Sequence, residues 1–112
     1  MDSIGLGIGG EADTVVTGNV VEGAPLVGIS LGYGHYLRDV TATSNIVRNT
    51  RIGIQVSVAP GAGNAIISDN VIANASLGAV LGSRWRDVVP GDLTKVGSAE
   101  YPHLTVERNQ VS

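Results

Sequence analysis

The chain has 112 residues and a net charge of −3, enough for one domain or part of one and the wrong sign for a nucleic-acid binder that works by neutralising phosphates. It has no cysteine, which removes disulfides and thiolate metal sites. No apolar run approaches the roughly 18 residues of a membrane span, and Met1 to Gly10 carry no Lys or Arg, unlike a signal peptide. With one Trp, three Tyr and no Phe beside 16 Gly, the interior must be filled by Val, Ile, Leu and Ala.

The segment from Ile4 to Ile8 looks like the tail of a repeat, with Leu6 and Ile8 inward. A full phrase then recurs: Asn, a β-branched pair, a short gap, and Gly-apolar-x-apolar. Its first copy is Asn19-Val20-Val21 with Gly28-Ile29-Ser30-Leu31. The second is Asn45-Ile46-Val47 with Gly53-Ile54-Gln55-Val56. The third is Asn70-Val71-Ile72 with Gly78-Ala79-Val80-Leu81. A fourth Asn stands at 109. Three residues before each Asn lie Val16, Ala42, Ile67 and Val106, and two after it Val21, Val47, Ile72 and Val111. These aliphatic columns point inward. The columns Val15, Thr41, Ile66, Thr105 and Thr17, Thr43, Ser68, Glu107 alternate with them and point out, which is strand periodicity. Asn tolerates the left-handed conformation and bonds nearby backbone, so it marks a bend, and stacked Asn side chains can bond one another.

A fixed period of this size implies stacked repeats. The reading is an all-β, right-handed parallel β-helix of about three and a half coils of ~25 residues, each with three short strands. Residues 1–112 form a single such segment, open at both ends, which implies either a piece of a longer solenoid or pairing with another subunit. Leucine-rich repeats share the period but need a different Leu frame and often a helix; no six-residue period supports a left-handed β-helix.

The connection after the first strand varies in length: Gly32 to Arg38, Ser57 to Asn64, and a long insertion over 82–103. The four aromatics, Tyr33, Tyr36, Trp85 and Tyr101, and both histidines, His35 and His103, fall in these connections. Insertions in repeat proteins map to loops on one face, often the binding face. The candidate binding residues are Tyr33, His35, Tyr36, Arg38, Arg84, Trp85, Arg86 and Asp87. Two tall loops flanking the low Ala59-Pro60-Gly61-Ala62-Gly63 would leave a groove roughly 10 Å across, two strand spacings. Aromatic rings suit sugar faces, and Arg suits carboxylate or sulfate. The competing reading makes the aromatics a cover, the long insertion a cap, and the histidines packing groups. Two His and scattered Asp make no metal signature, so no metal, cofactor or catalytic residue is assigned. The outward column of the first strand reads Gly7, Ser30, Gln55, Val80, without acid or base, and no pair of facing carboxylates stands in the repeats.

Residues 28–40 (GISLGYGHYLRDV), 56–63 (VSVAPGAG), 91–93 (GDL) and 103–112 (HLTVERNQVS) resemble right-handed parallel β-helix proteins of the pectate-lyase-like superfamily. The resemblance is closest to the C-terminal part of an uncharacterised family of twin-arginine-translocated repeat proteins of alphaproteobacteria. It implies an exported or periplasmic protein and supplies no catalytic residues; the Asp-Pro-His-Asp motif of the epimerase branch is absent. The expected function is a non-catalytic carbohydrate- or envelope-binding module with a polysaccharide partner. The alternatives are a lyase or epimerase fragment with its catalytic residues in further coils, or a purely structural segment.

Overall fold

The computed structural model describes residues 6–10, 12–24, 26–32, 37–84, 87–89, 91–97 and 99–112, with side chains described from residue 12 onward. The side chains of Leu6 and Ile8, and the whole of Ile4, Tyr33, His35, Tyr36, Trp85 and Arg86, lie outside the described residues. In chain order the strands are β1 (Leu6–Gly10), β2 (Ala12–Thr17), β3 (Val20–Glu22), β4 (Val27–Leu31), β5 (Arg38–Thr43), β6 (Ile46–Ser57), β7 (Ala65–Ser68), β8 (Val71–Arg84), β9 (Asp87–Val89), β10 (Leu104–Glu107) and β11 (Gln110–Val111). A one-turn helix, α1 (Leu93–Val96), lies between β9 and β10.

These strands build two sheets. One runs β10-β7-β5-β2. The other has seven strands along the path β1-β4-β6-β8-β11, with β3 beside β6 and β9 beside β8. Every pairing is parallel except β8 with β9. This overturns the expected right-handed parallel β-helix: the chain forms two parallel sheets, not a solenoid with three strands in each coil. The physical reason lies at Asn49 and Asn74, with φ of 58° and 57°. Each bends its strand in the left-handed region, but the ladder continues through the bend. Pairing runs from Ile46↔Val71 to Ser57↔Ser83 with one shift between Thr50 and Ile52. The two strands that were to follow each Asn are therefore single elements of 12 and 14 residues.

The inward columns do stack. Val16, Ala42, Ile67 and Val106 are cross-strand partners, as are Val21, Val47, Ile72 and Val111. Ala42, Ile67, Val47 and Ile72 are wholly buried, whereas Val111 at the last position is 44% exposed. One cluster extends from Val16 to Leu104. Alternating burial such as eeBiBi in β5 shows the strand period directly.

The bend between the sheets is held by the Asn column. Asn45 Nδ2 donates to Asn70 Oδ1 and to the Val16 carbonyl, both at 3.0 Å. Asn70 Nδ2 donates to Asn109 Oδ1 at 2.9 Å and the Ala42 carbonyl at 3.1 Å. Each Oδ1 also takes the backbone N–H of the Asn before it. Asn45 and Asn70 are buried at 1% and 0% exposure, where an unpaired amide would be costly. The residue before each Asn, Gly18, Ser44, Asp69 or Arg108, has positive φ and turns the corner.

The glycines of the phrase have a packing cause in two of three copies. A Cβ on Gly28 would lie 2.4 Å from Val47 Cγ1, and one on Gly53 would lie 2.6 Å from the Ala79 carbonyl. Backbone approaches backbone too closely there for a side chain. The third copy is out of step with the sequence alignment. The extra residue in β8 pairs Gly53's neighbours with Gly78 and Val80, so Ala79, not Gly78, stands beside Gly53. The outward column thus reads Gly9, Ser30, Gln55, Leu81, correcting the expected Gly7 and Val80. Leu81 folds over Gly78, whose Cβ would come within 2.8 Å of it.

Candidate functional site

The ends of β4, β6 and β8 stand in one row, Leu31↔Val56↔Gly82. The three variable connections therefore leave from one edge. The middle one is a flat turn: the Ala62 N–H donates to the Ala59 carbonyl at 3.1 Å, around Gly61 with φ of 88°. Val58 and Ala59 are buried, and the Gly63 N–H reaches the Leu37 carbonyl of the first connection at 2.6 Å. The walls of the expected groove were to be Tyr33, His35, Tyr36, Trp85 and Arg86, which lie outside the described residues.

The three remaining candidates are described, and they do not form one cluster. Arg38 opens β5 on the four-stranded sheet, exposed, with its guanidinium donating to Asp13 at 2.6 Å. That bond, and the Asp13 charge, raise its pKa above the ordinary arginine value. Arg84 ends β8 and Asp87 begins β9, and the two are register partners across the antiparallel pair. They flank the two-residue connection 85–86 and are both exposed. The insertion thus begins after Arg84, not at 82, and has secondary structure of its own in β9 and α1.

Sequence reasoning passed over Asp92, the most connected carboxylate among the described residues. It caps α1, accepting from the Thr94 N–H at 3.0 Å and the Thr94 hydroxyl at 2.7 Å. It also accepts the backbone N–H groups of Ala79 at 2.8 Å and Val80 at 3.2 Å in β8. Burial pushes its pKa up, but these donors outweigh burial and hold it below the ordinary value. The legible signal was Gly91-Asp92-Leu93-Thr94, an Asp ahead of an apolar residue, which is a helix N-cap pattern. Behind it Leu93 is 4% exposed and Leu104 is 6%, and Tyr101 packs on the same cluster. His103 Nε2 lies 3.1 Å from the Ser57 carbonyl, with its ring edge-on to Tyr101 at 6.3 Å.

Four other described acids, Asp13, Glu22, Asp69 and Glu107, pair with arginine. Asp69 pairs with Arg108 at 3.1 Å, which lowers the Asp69 pKa, and Glu22 takes Arg48 and Asn49 at 3.3 Å. These exposed pairs cross from strand to neighbouring strand and contribute little individually. Asp92 is a poor general base, because four donors stabilise its ionised form and a proton on either oxygen would displace or weaken them. Among the described residues no group of three or more His, Asp or Glu gathers to hold a metal, and no helix is long and apolar enough to cross a membrane. Compared with protein-family models, curated proteins and solved structures, the chain finds no match.

Proposed function

We propose that this chain is a non-catalytic binding module for carbohydrate, or for a saccharide component of the cell envelope, belonging to an exported protein. The observation that carries this reading is the common edge Leu31–Val56–Gly82, from which all three variable connections depart. The sequence places Tyr33, Tyr36 and Trp85 with Arg84 and Arg86 in the two outer ones. Aromatic faces with adjacent guanidinium groups suit sugars that carry carboxylate or sulfate. The commitment of Asp13, Glu22, Asp69 and Glu107 to Arg partners, and of Asp92 to backbone donors, favours binding over acid–base chemistry. Export rests on the family resemblance alone.

The test is the intrinsic fluorescence of Trp85, the single tryptophan, during titration with neutral and acidic oligosaccharides. A saturable shift with one sugar class, lost in Arg84→Ala, supports the reading. No shift with any sugar supports the structural reading instead, in which the insertion serves only to cover the end of the sheets; the burial of Leu93 is the observation that favours it.

A further inference from the structure

Two polar side chains stand uncommitted on the outer face of the four-stranded sheet, where the first and second variable connections enter it. Asp39 and Asn64 immediately precede the register partners Val40 and Ala65. The two connections are held side by side there. The Val40 N–H donates to the Asn64 carbonyl at 3.2 Å, and the Gly63 N–H to the Leu37 carbonyl at 2.6 Å. A Cβ on Gly63 would lie 2.9 Å from the Leu37 carbonyl oxygen, so this approach needs glycine. Backbone contacts this close fix where both side chains begin.

A groove of about 270 Å³ is lined by Asp39, Thr41, Asn64 and Ile66, with Val40 and Ala65 completing it. Neither the Asp39 carboxylate nor the Asn64 side-chain amide makes a hydrogen bond among the described residues. The neighbouring Asp13 is taken by Arg38, on which Asp39 acts only through its charge. Ile66 leaves a large apolar side chain 43% exposed beside them. A carboxylate accepts two hydrogen bonds side by side, and a primary amide both donates and accepts. Neighbouring hydroxyls on a sugar ring present the matching donors and acceptors, and the C–H face of the ring suits Ile66. Among the described residues no Lys or Arg lines the groove, and the Asp39 charge repels acidic sugars. Ligand pockets begin at roughly 300 Å³, so this one has room for a single ring. We infer that the groove binds one neutral sugar ring through two neighbouring hydroxyls, with Asp39 and Asn64 as the recognition groups. It is a different site from the aromatic connections around Trp85, so either can fail without the other.

The test is amide NMR of the isotope-labelled protein during titration with methyl glucoside, methyl galactoside and methyl mannoside. Each is taken to about 100 mM, because a single ring in an open groove binds with a millimolar Kd. The expected result is a saturable shift with at least one glycoside, centred on the amides of Val40, Thr41, Ala65 and Ile66. Its Kd should rise about tenfold or more in Asp39→Asn and in Asn64→Ala, the loss of a hydrogen bond to the ligand. Asn tolerates the left-handed backbone of position 39, where φ is 50°. A dispersed spectrum shows that each variant is folded; if one is not, the other decides. Cyclohexanol, a ring with one hydroxyl, should give no saturable shift. No saturable shift from any of the three glycosides overturns the proposal, as do shifts that a folded variant retains at unchanged Kd or that cyclohexanol reproduces. Trp85 fluorescence in the same titrations separates the two sites: a change there with silent groove amides leaves the edge reading standing and sinks this one.

Discussion

At the scale of single residues, stability is set by position in the Asn column. Asn70 is wholly buried and exchanges hydrogen bonds with Asn45, Ala42 and Asn109. Truncation would orphan donors and an acceptor at once, so Asn70→Ala should cost about 3 kcal/mol in urea unfolding. Asn19, half-buried at the end, bonds only one neighbouring strand, and Asn19→Ala should cost about 1 kcal/mol. Equal losses would count against a cooperative column. Thr50 argues in the other direction. It is 5% exposed and its hydroxyl has no partner among the described residues, while its methyl faces the Gly28 backbone. Thr50→Val keeps the shape and removes a desolvated polar group, so it should gain about 1 kcal/mol; a loss would show that the hydroxyl is satisfied in solution.

At the scale of elements, the insertion is joined to β8 by the β8–β9 pairing and by the Asp92 carboxylate, and the second of these holds depends on pH. Asp92 has a folded-state pKa below its ordinary value, which for aspartate is about 4. Its stabilisation is therefore complete above about pH 4 and is lost as pH falls through the lower folded value. Hydrogen exchange at the Ala79 and Val80 amides, corrected for intrinsic rates, should accelerate over that acid range relative to the buried β6 amides. In Asp92→Asn the step should vanish, and a step that persisted would assign the acid sensitivity elsewhere. The elements also mark what was legible in the sequence. The inward columns, the Asn spacing and the one-edged connections were readable, because burial and hydrogen bonding repeat at fixed residues. The sheet count was not. Asn49 and Asn74 carry the same turn chemistry as Asn45 and Asn70, and residue identity does not reveal whether a ladder survives its bend. The shift that places Ala79 beside Gly53 was hidden for a similar reason: one extra residue in β8 leaves the Gly-apolar-x-apolar phrase intact while moving its register. Of the candidate residues, Arg84 and Asp87 are register partners across β8 and β9, whereas Arg38 lies on the other sheet.

At the scale of the whole molecule, repetition in sequence raises the question of whether the chain unfolds repeat by repeat, as quasi-linear arrays can. The packing argues against it. One apolar cluster joins Val16 near one end to Leu93 and Leu104 at the other, and the parallel ladder from β4 through β6 to β8 ties each phrase to the next, so no phrase can detach without opening the shared sheet and core. Each parallel pairing also closes a long loop before it is rewarded, which makes the transition costly to begin and hard to halt midway. The insertion is the one place where this reasoning has a weak joint, since β9 is exposed along most of its length. What binds it to the rest is the short β8–β9 pairing, the burial of Leu93 and the two bonds from Ala79 and Val80 to Asp92. Trp85 lies within the insertion in sequence and reports on it separately from the sheets. Urea unfolding followed by Trp85 fluorescence and by far-ultraviolet circular dichroism should therefore give one coincident transition at neutral pH. In Asp92→Ala the fluorescence transition should move to lower urea while the dichroism transition stays nearly in place, because only the insertion has been loosened. Coincident curves in both proteins would mean that Leu93 and the β8–β9 pairing secure the insertion without Asp92, and separate curves in the native protein would make it an independent unit.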